Sequence, residues 1–471
     1  MAFDVVVVGG GTAGCVLAAR LSENPDRTVC LLEAGPDFGS LDSGRWPSDL
    51  LDAHFPASSH VWEPGADDGR TLGGRVIGGS SAVNACAMLE GSPADYDEWG
   101  EGWSYQDLSP FLELAKRTLR TAPANTEHAA PFHRRFIDAA VDAGFPRLDD
   151  PNDPTQPVGV APYTANVVDG TRWNAALAYL DPARARRNLT IRGDTLVDRV
   201  EIESGRASGV VAGRERIDAG EVILAAGAYF SPAILMRSGI GPEDELAALG
   251  IPVAAALPVG EPLLDHCGTD VTWEPSELLQ AEIATHVAQH GLYGPHAVLK
   301  AESSRSPTDS WDLHLLSWVG AGETPGSYRL TILVYDMKPL SSGRVRLRSR
   351  KAEDPPTVER GFLAQEEDVN TLVEGIAIAR TIGAEEPLGE LLGHELAPGA
   401  ADPETYVRET VRNYFHPAGT CALGRVVNRQ CRVLGVDGLR VADASIMPTI
   451  PRANTNLTTA AIAERVAALF P

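Results

Sequence analysis

The sequence predicts an α/β protein in two units, a parallel sheet with flanking helices and a second unit on a largely antiparallel sheet. Three observations carry that expectation. A buried strand, Asp4 to Val8, runs through a glycine-rich turn into a helix at Cys15 to Leu21 and on to a second buried strand, Val29 to Glu33. This is a βαβ opening, and such units build parallel sheets. Residues 266–350 instead alternate apolar and polar side chains, as in Trp311-Asp312-Leu313-His314-Leu315 and Gly343-Arg344-Val345-Arg346-Leu347. That is the pattern of antiparallel strands with one wet face. The chain then returns to helix, with helical periodicity over Asp368 to Ile382 and an Ala-rich run from Leu457 to Leu469.

Between these landmarks, Pro146, Pro151, Pro154, Pro157 and Pro162 crowd one acidic segment. It reads as a loop, a crossing between units or a lid. Arg192 to Val211 alternates around a glycine turn and suggests a hairpin, and Glu221 to Ala226 is a further buried strand. The expected division places 1–265 and 417–471 in the first unit and 266–416 in the second.

Composition excludes several classes. The 471 residues are 44% apolar and 22% charged, a globular balance. The net charge of −24 argues against nucleic acid and against an anionic membrane surface, because both need clustered bases. No apolar run reaches the roughly 18 residues of a transmembrane helix. The N-terminus lacks the basic region of a signal peptide. Cys15, Cys30, Cys86, Cys267, Cys421 and Cys431 are scattered with no C-x-x-C pair, which suggests reduced thiols in a cytoplasmic protein and no metal site.

Gly9-Gly10-Gly11-Thr12-Ala13-Gly14 fits G-x-G-x-x-G directly after the first strand, and Glu33 closes the second. Gly9 allows the tight turn, Gly11 lets a pyrophosphate approach the backbone, and Gly14 lets the helix pack on the sheet. The helix N-terminus holds phosphate and Glu33 accepts from ribose hydroxyls. A Rossmann-like dinucleotide site follows, although this motif alone does not separate FAD from NAD.

Further segments make that separation. They are Arg75-Val76-Ile77-Gly78-Gly79-Ser80-Ser81-Ala82-Val83-Asn84, the run Gly227-Ala228-Tyr229-Phe230-Ser231-Pro232 onward to Gly241, His416-Pro417-Ala418-Gly419-Thr420, and Leu439-Arg440-Val441-Ala442-Asp443-Ala444. Together they make the chain resemble the glucose–methanol–choline (GMC) oxidoreductases over nearly its whole length. The resemblance implies FAD, a small-molecule alcohol as substrate, and oxygen, a quinone or a protein as electron acceptor. It implies cofactor contacts at Thr12, Ala13, Ala34, Arg75, Gly78, Gly79, Ser80, Asn84, Ala85, Val197, Ala226, Gly227, Asp443, Ala444, Thr455 and Asn456. Some members join the flavin covalently to a histidine at the position held here by Val83, so FAD is expected to be non-covalent. The same scaffold also hosts lyases and a light-driven decarboxylase without net redox turnover.

The catalytic pair implied by the resemblance is His416 and Asn454. Alcohol oxidation needs a base for the hydroxyl proton, and a neutral histidine suits that near neutral pH. A second polar group then holds the oxygen as charge grows on it. Asn454 either does this or merely caps the C-terminal helix, since Pro448 and Pro451 keep that helix from starting earlier. The other ten histidines (His54, His60, His128, His133, His266, His286, His290, His296, His314 and His394) read as structural. Among them, His266 is structural or near the cofactor, and His314 is a candidate for the pocket wall.

Overall fold

A computed structural model describes residues 2–63, 72–124, 129–292, 296–307 and 310–470. His128 lies outside the described residues. The N-terminal strand Phe3–Val8 takes the centre of the first sheet because four consecutive valines bury both its faces. It pairs in parallel with Val29–Leu32 on one side and with Glu215–Leu224 on the other. Leu189–Arg192 extends the sheet beyond Val29–Leu32, again in parallel. The long strand Glu215–Leu224 does double duty. Its last residues pair with Leu439–Val441, and its first half joins the antiparallel hairpin of Arg199–Glu203 and Arg206–Ala212.

The second sheet is antiparallel, in the order Leu392–Ala397, Cys267–Pro275, Tyr328–Asp336, Leu313–Ala321, Ala297–Ala301 and Gly159–Pro162. Arg412–Asn413 pairs with Cys267 and Gly268 at its edge. One face, with Val271, Leu315, Ile332 and Val334, is covered by the helices Pro131–Asp142, Glu277–His290 and Glu366–Ala384. The other, with Asp270, Leu316, Trp318, Thr331, Leu333 and Tyr335, faces a cavity shared with the first sheet's loops. The alternation read from sequence is therefore real, but its polar face looks inward onto a site.

Two expectations need correcting. The proline-rich stretch does not stay irregular: Gly159–Pro162 is the outermost strand of the second sheet, where proline's missing donor costs nothing. Gly343–Leu347 does not join that sheet. Its core, Arg344–Arg346, pairs only with Thr357–Glu359 in a separate ribbon, because Val345 packs with Tyr229 and Leu263.

Candidate active site

Three helices begin at the wall of one cavity of about 690 Å³. Thr12–Leu21 starts at Gly11, Gly227–Arg237 at Ala226, and Thr455–Ala467 at Asn454. None of the three N-cap residues caps its own helix, although Asp443 takes the Gly227 N–H, whereas Ser104, Ser276 and Asp402 cap other helices through their side chains. A helix start leaves N–H groups unsatisfied unless a side chain, water or ligand takes them. Three such starts converging on one cavity fit a long ligand with phosphate and electron-rich ring edges.

The glycine loops are built for close approach. A Cβ at Gly14 would lie 1.8 Å from the Gly9 carbonyl oxygen, so only glycine lets this helix meet its own turn. Gly79, at φ +52°, would put a Cβ 2.5 Å from the Cα of Gly11. The two loops thus touch backbone to backbone and leave the cavity open beside them.

Of the residues singled out in sequence, Gly9, Gly11, Thr12, Ala13, Glu33, Ala34, Gly79, Ser80, Asn84, Ala85, Val197, Ala226, Gly227, His416, Asp443, Ala444, Asn454, Thr455 and Asn456 all line this cavity. Gly14, Gly78 and Arg75 do not. Gly14 and Gly78 stand one layer behind it, with the Gly78 N–H on the Gly10 carbonyl. The Arg75 guanidinium stacks over Trp62, itself on the wall, 4.7 Å from the ring centre.

Glu33 is held by two backbone donors, Gly10 at 2.7 Å and Gly35 at 2.8 Å. Burial nevertheless pushes its carboxyl up to about 7. Asp443 accepts from the N–H of Gly227 at 2.9 Å and of Ser445 at 2.8 Å, and burial raises it as well. It ties the start of the Gly227 helix to the Leu439–Val441 strand end.

At the far end His416 joins Asn454 and His266. Asn454 Nδ2 lies 3.0 Å from His416 Nε2, and His416 Nδ1 lies 2.9 Å from His266 Nδ1. The order of protons follows from the end of this chain. The Asn454 amide nitrogen can only donate, so His416 Nε2 accepts from it. His416 Nδ1 then donates to His266 Nδ1. His416 carries hydrogen on Nδ1, leaving Nε2 as the lone pair that faces the Asn454 amide. Burial, then the neighbouring His266, holds His416 well below the ordinary histidine value.

The backbone N–H of His416 donates to Asp265 at 2.8 Å. Just before it Phe415 sits at φ +64°, a conformation costing a bulky residue about 1–3 kcal/mol. That turn lets Tyr414, Phe415 and His416 all reach the cavity.

The sequence assigns the substrate wall to 266–416 but does not name the second sheet's residues on it. Tyr335 and Tyr414 stack at 3.7 Å, and Asp270 and Arg412 pair across the same wall. No motif marks these positions, and alternation alone does not say which face is the inner one. His314, the sequence's candidate for the pocket, is fully buried and is not on the cavity wall.

Comparison with known proteins gives the family. Residues 3–268 and 339–463 match the N- and C-terminal parts described as GMC oxidoreductase. The chain is 35% identical to the mitochondrial choline dehydrogenase of Homo sapiens, over 99% of this chain and 89% of that protein. It superposes on pyridoxine 4-oxidase from Mesorbium loti with a TM-score of 0.88 at 29% identity, covering 99% of both chains. An FAD-dependent oxidoreductase from Chaetomium thermophilum superposes with a TM-score of 0.82 at 25% identity, covering 99% of this chain and 98% of that one. The chain belongs to the GMC oxidoreductases, a family of FAD-dependent enzymes. No helix among the described residues is long and apolar enough to cross a membrane.

Proposed function

We propose that the protein binds FAD non-covalently and oxidises an alcohol to an aldehyde or ketone, with His416 as the general base. The observation that carries this reading is the His416 Nε2 lone pair, turned to the cavity wall beside the Asn454 amide. The backbone N–H groups at Gly11, Thr12 and Ala13 hold the pyrophosphate, Glu33 and Val197 the adenosine end, and Gly79, Ser80, Asn84 and Ala85 the ring side. Asp443 and Ala444 lie along the middle, and the start of the Thr455 helix faces the ring. When bound, FAD supplies the hydride acceptor.

The protein's own share is proton and charge management. His416 Nε2 takes the hydroxyl proton, while Nδ1–H stays on His266 and fixes the ring. Asn454 donates to the substrate oxygen as it gains charge. The first unit (1–265 and 417–471) carries the cofactor, and 266–416, with the strand Gly159–Pro162, carries the substrate wall. Electrons then pass to oxygen, a quinone or a protein acceptor. The relatives named above are dehydrogenases and oxidases, which favours the redox reading over a lyase or decarboxylase on the same scaffold.

The test is anaerobic mixing of the yellow holoprotein with a panel of alcohols. Bleaching of the flavin by an alcohol is expected. His416→Ala should slow it by about 10²–10⁴-fold while FAD stays bound. A variant within about threefold of the parent removes His416 from the base role.

A further inference from the structure

The alcohol end of the cavity has a charged flank that proton removal does not use. Arg412 and Tyr414 stand two residues apart on an extended segment, about 6.7 Å of chain, and both line the cavity. The Arg412 guanidinium makes one hydrogen bond, from Nη2 to Asp270 Oδ1. Its Nε is buried and, like Nη1, has no protein partner among the described residues, and the side chain is 37% exposed. Asp270 is otherwise satisfied from behind. Thr272 donates its hydroxyl to Oδ2 at 2.7 Å, and Tyr406 donates to Oδ1 at 3.3 Å. The carboxylate is thus spent on the protein, and the guanidinium keeps donors to spare. The other acidic and basic side chains on the wall besides His416 are Glu33, Arg237 and Asp443, and these lie by the glycine loops and Val197.

Between Arg412 and His416 the wall is flat and aromatic. Tyr414 lies 4.2 Å from the His416 ring centre and stacks on Tyr335 with the planes 5° apart. Gly268 makes room for that stack, since a Cβ there would lie 2.2 Å from Tyr335 Cδ1. Leu333 and Leu316 continue the floor.

A ligand for this wall has a hydroxyl at the His416 end, a flat apolar body along Tyr414, and a negative group at Arg412. We propose that the substrate is an alcohol with a flat, unsaturated body and a carboxylate at the end away from the hydroxyl, selected by Arg412. This rests on the alcohol-oxidation reading above. A planar guanidinium matches a carboxylate in shape as well as charge. A quaternary ammonium alcohol such as choline meets the guanidinium instead, because both oxygens of Asp270 are already engaged.

The experiment pairs isosteres. Anaerobic flavin reduction is compared for para-(hydroxymethyl)benzoate, its neutral amide and choline. Calorimetric binding to the oxidised holoprotein is compared for para-toluate and para-toluamide, which carry no oxidisable hydroxyl. The acid should exceed the amide by about 10- to 100-fold in both measurements, with choline slower than either aromatic alcohol. Arg412→Gln should bring the acid-to-amide ratio to within about threefold, and Asp270→Asn, which frees the guanidinium, should raise it. Equal binding of toluate and toluamide, a ratio unmoved by Arg412→Gln, or a preference for choline overturns the proposal. If no alcohol bleaches the flavin yet toluate keeps its Arg412-dependent advantage, the alcohol reading fails and the carboxylate site stands.

Discussion

Asn454 occupies the N-cap of the C-terminal helix, yet its side chain leaves the helix uncapped and points its amide at His416 Nε2, 3.0 Å away. A capping asparagine would turn its oxygen back to the N2 or N3 backbone. The geometry therefore favours an amide that serves the lone pair and the substrate oxygen. Asn454→Asp and Asn454→Ser separate the two roles, because both substitutes cap well. Aspartate opposes negative charge on the substrate oxygen, cannot donate, and raises the basicity of His416 too far. We expect flavin reduction in Asn454→Asp to fall at least about tenfold below Asn454→Ser, about 1.4 kcal/mol of barrier. Equal rates in stopped-flow would return Asn454 to capping.

The pH dependence follows from the burial of His416. Its protonated form cannot act as base, so activity is lost as pH falls through its pKa. Burial and His266 hold that value well below the ordinary histidine value of about 6.5. The rate of flavin reduction should be level from about pH 6.5 upward and fall only in more acid solution. A midpoint above the ordinary value would contradict this assignment. Asn454→Asp, which places a carboxylate beside the ring, should move the midpoint up.

Val83 stands at the position where a linking histidine would be, buried on the cavity wall with an unreactive side chain. Acid denaturation of the purified protein should release all of its FAD to the supernatant. Flavin retained by the precipitated chain, seen as fluorescence of the pellet, would show a covalent bond made elsewhere.

How much of this was legible in sequence divides by physical cause. The glycine loops were, because a Cβ at Gly14 would lie 1.8 Å from the Gly9 carbonyl oxygen and leaves no alternative residue there. The strands Phe3–Val8 and Val29–Leu32 were, since burial on both faces forces unbroken apolar runs. The helix start at Thr12 was placed three residues late, because glycines at its head hide helical intent. The Gly159–Pro162 strand and the separate ribbon of Arg344–Arg346 were not legible, because pairing partners are set by tertiary packing. The proposed pair His416 and Asn454 was singled out by motif, but His266, Tyr335 and Arg412 were not placed beside it. Their role depends on which face of a strand looks inward, and that is fixed by register with distant segments.

His266 is the positioning residue whose removal tests the proton order. Its Nδ1 accepts from His416 Nδ1 at 2.9 Å. Without that acceptor the His416 proton gains nothing from staying on Nδ1, and the ring spends time with its proton on the substrate side. His266→Leu removes the acceptor, while His266→Asn offers an amide oxygen near the place of Nδ1. We expect His266→Leu to lose about 10- to 100-fold in flavin reduction, the usual cost of losing a partner that orients a working imidazole. His266→Asn should recover most of that loss. Both should retain FAD, since His266 is not on the cavity wall. A purely structural role predicts something else: both variants would lose FAD and thermal stability together, with no difference in rate per bound flavin. Equal impairment of the two per flavin, or an unaffected Leu variant, would mean that the tautomer of His416 is set by Asn454 alone.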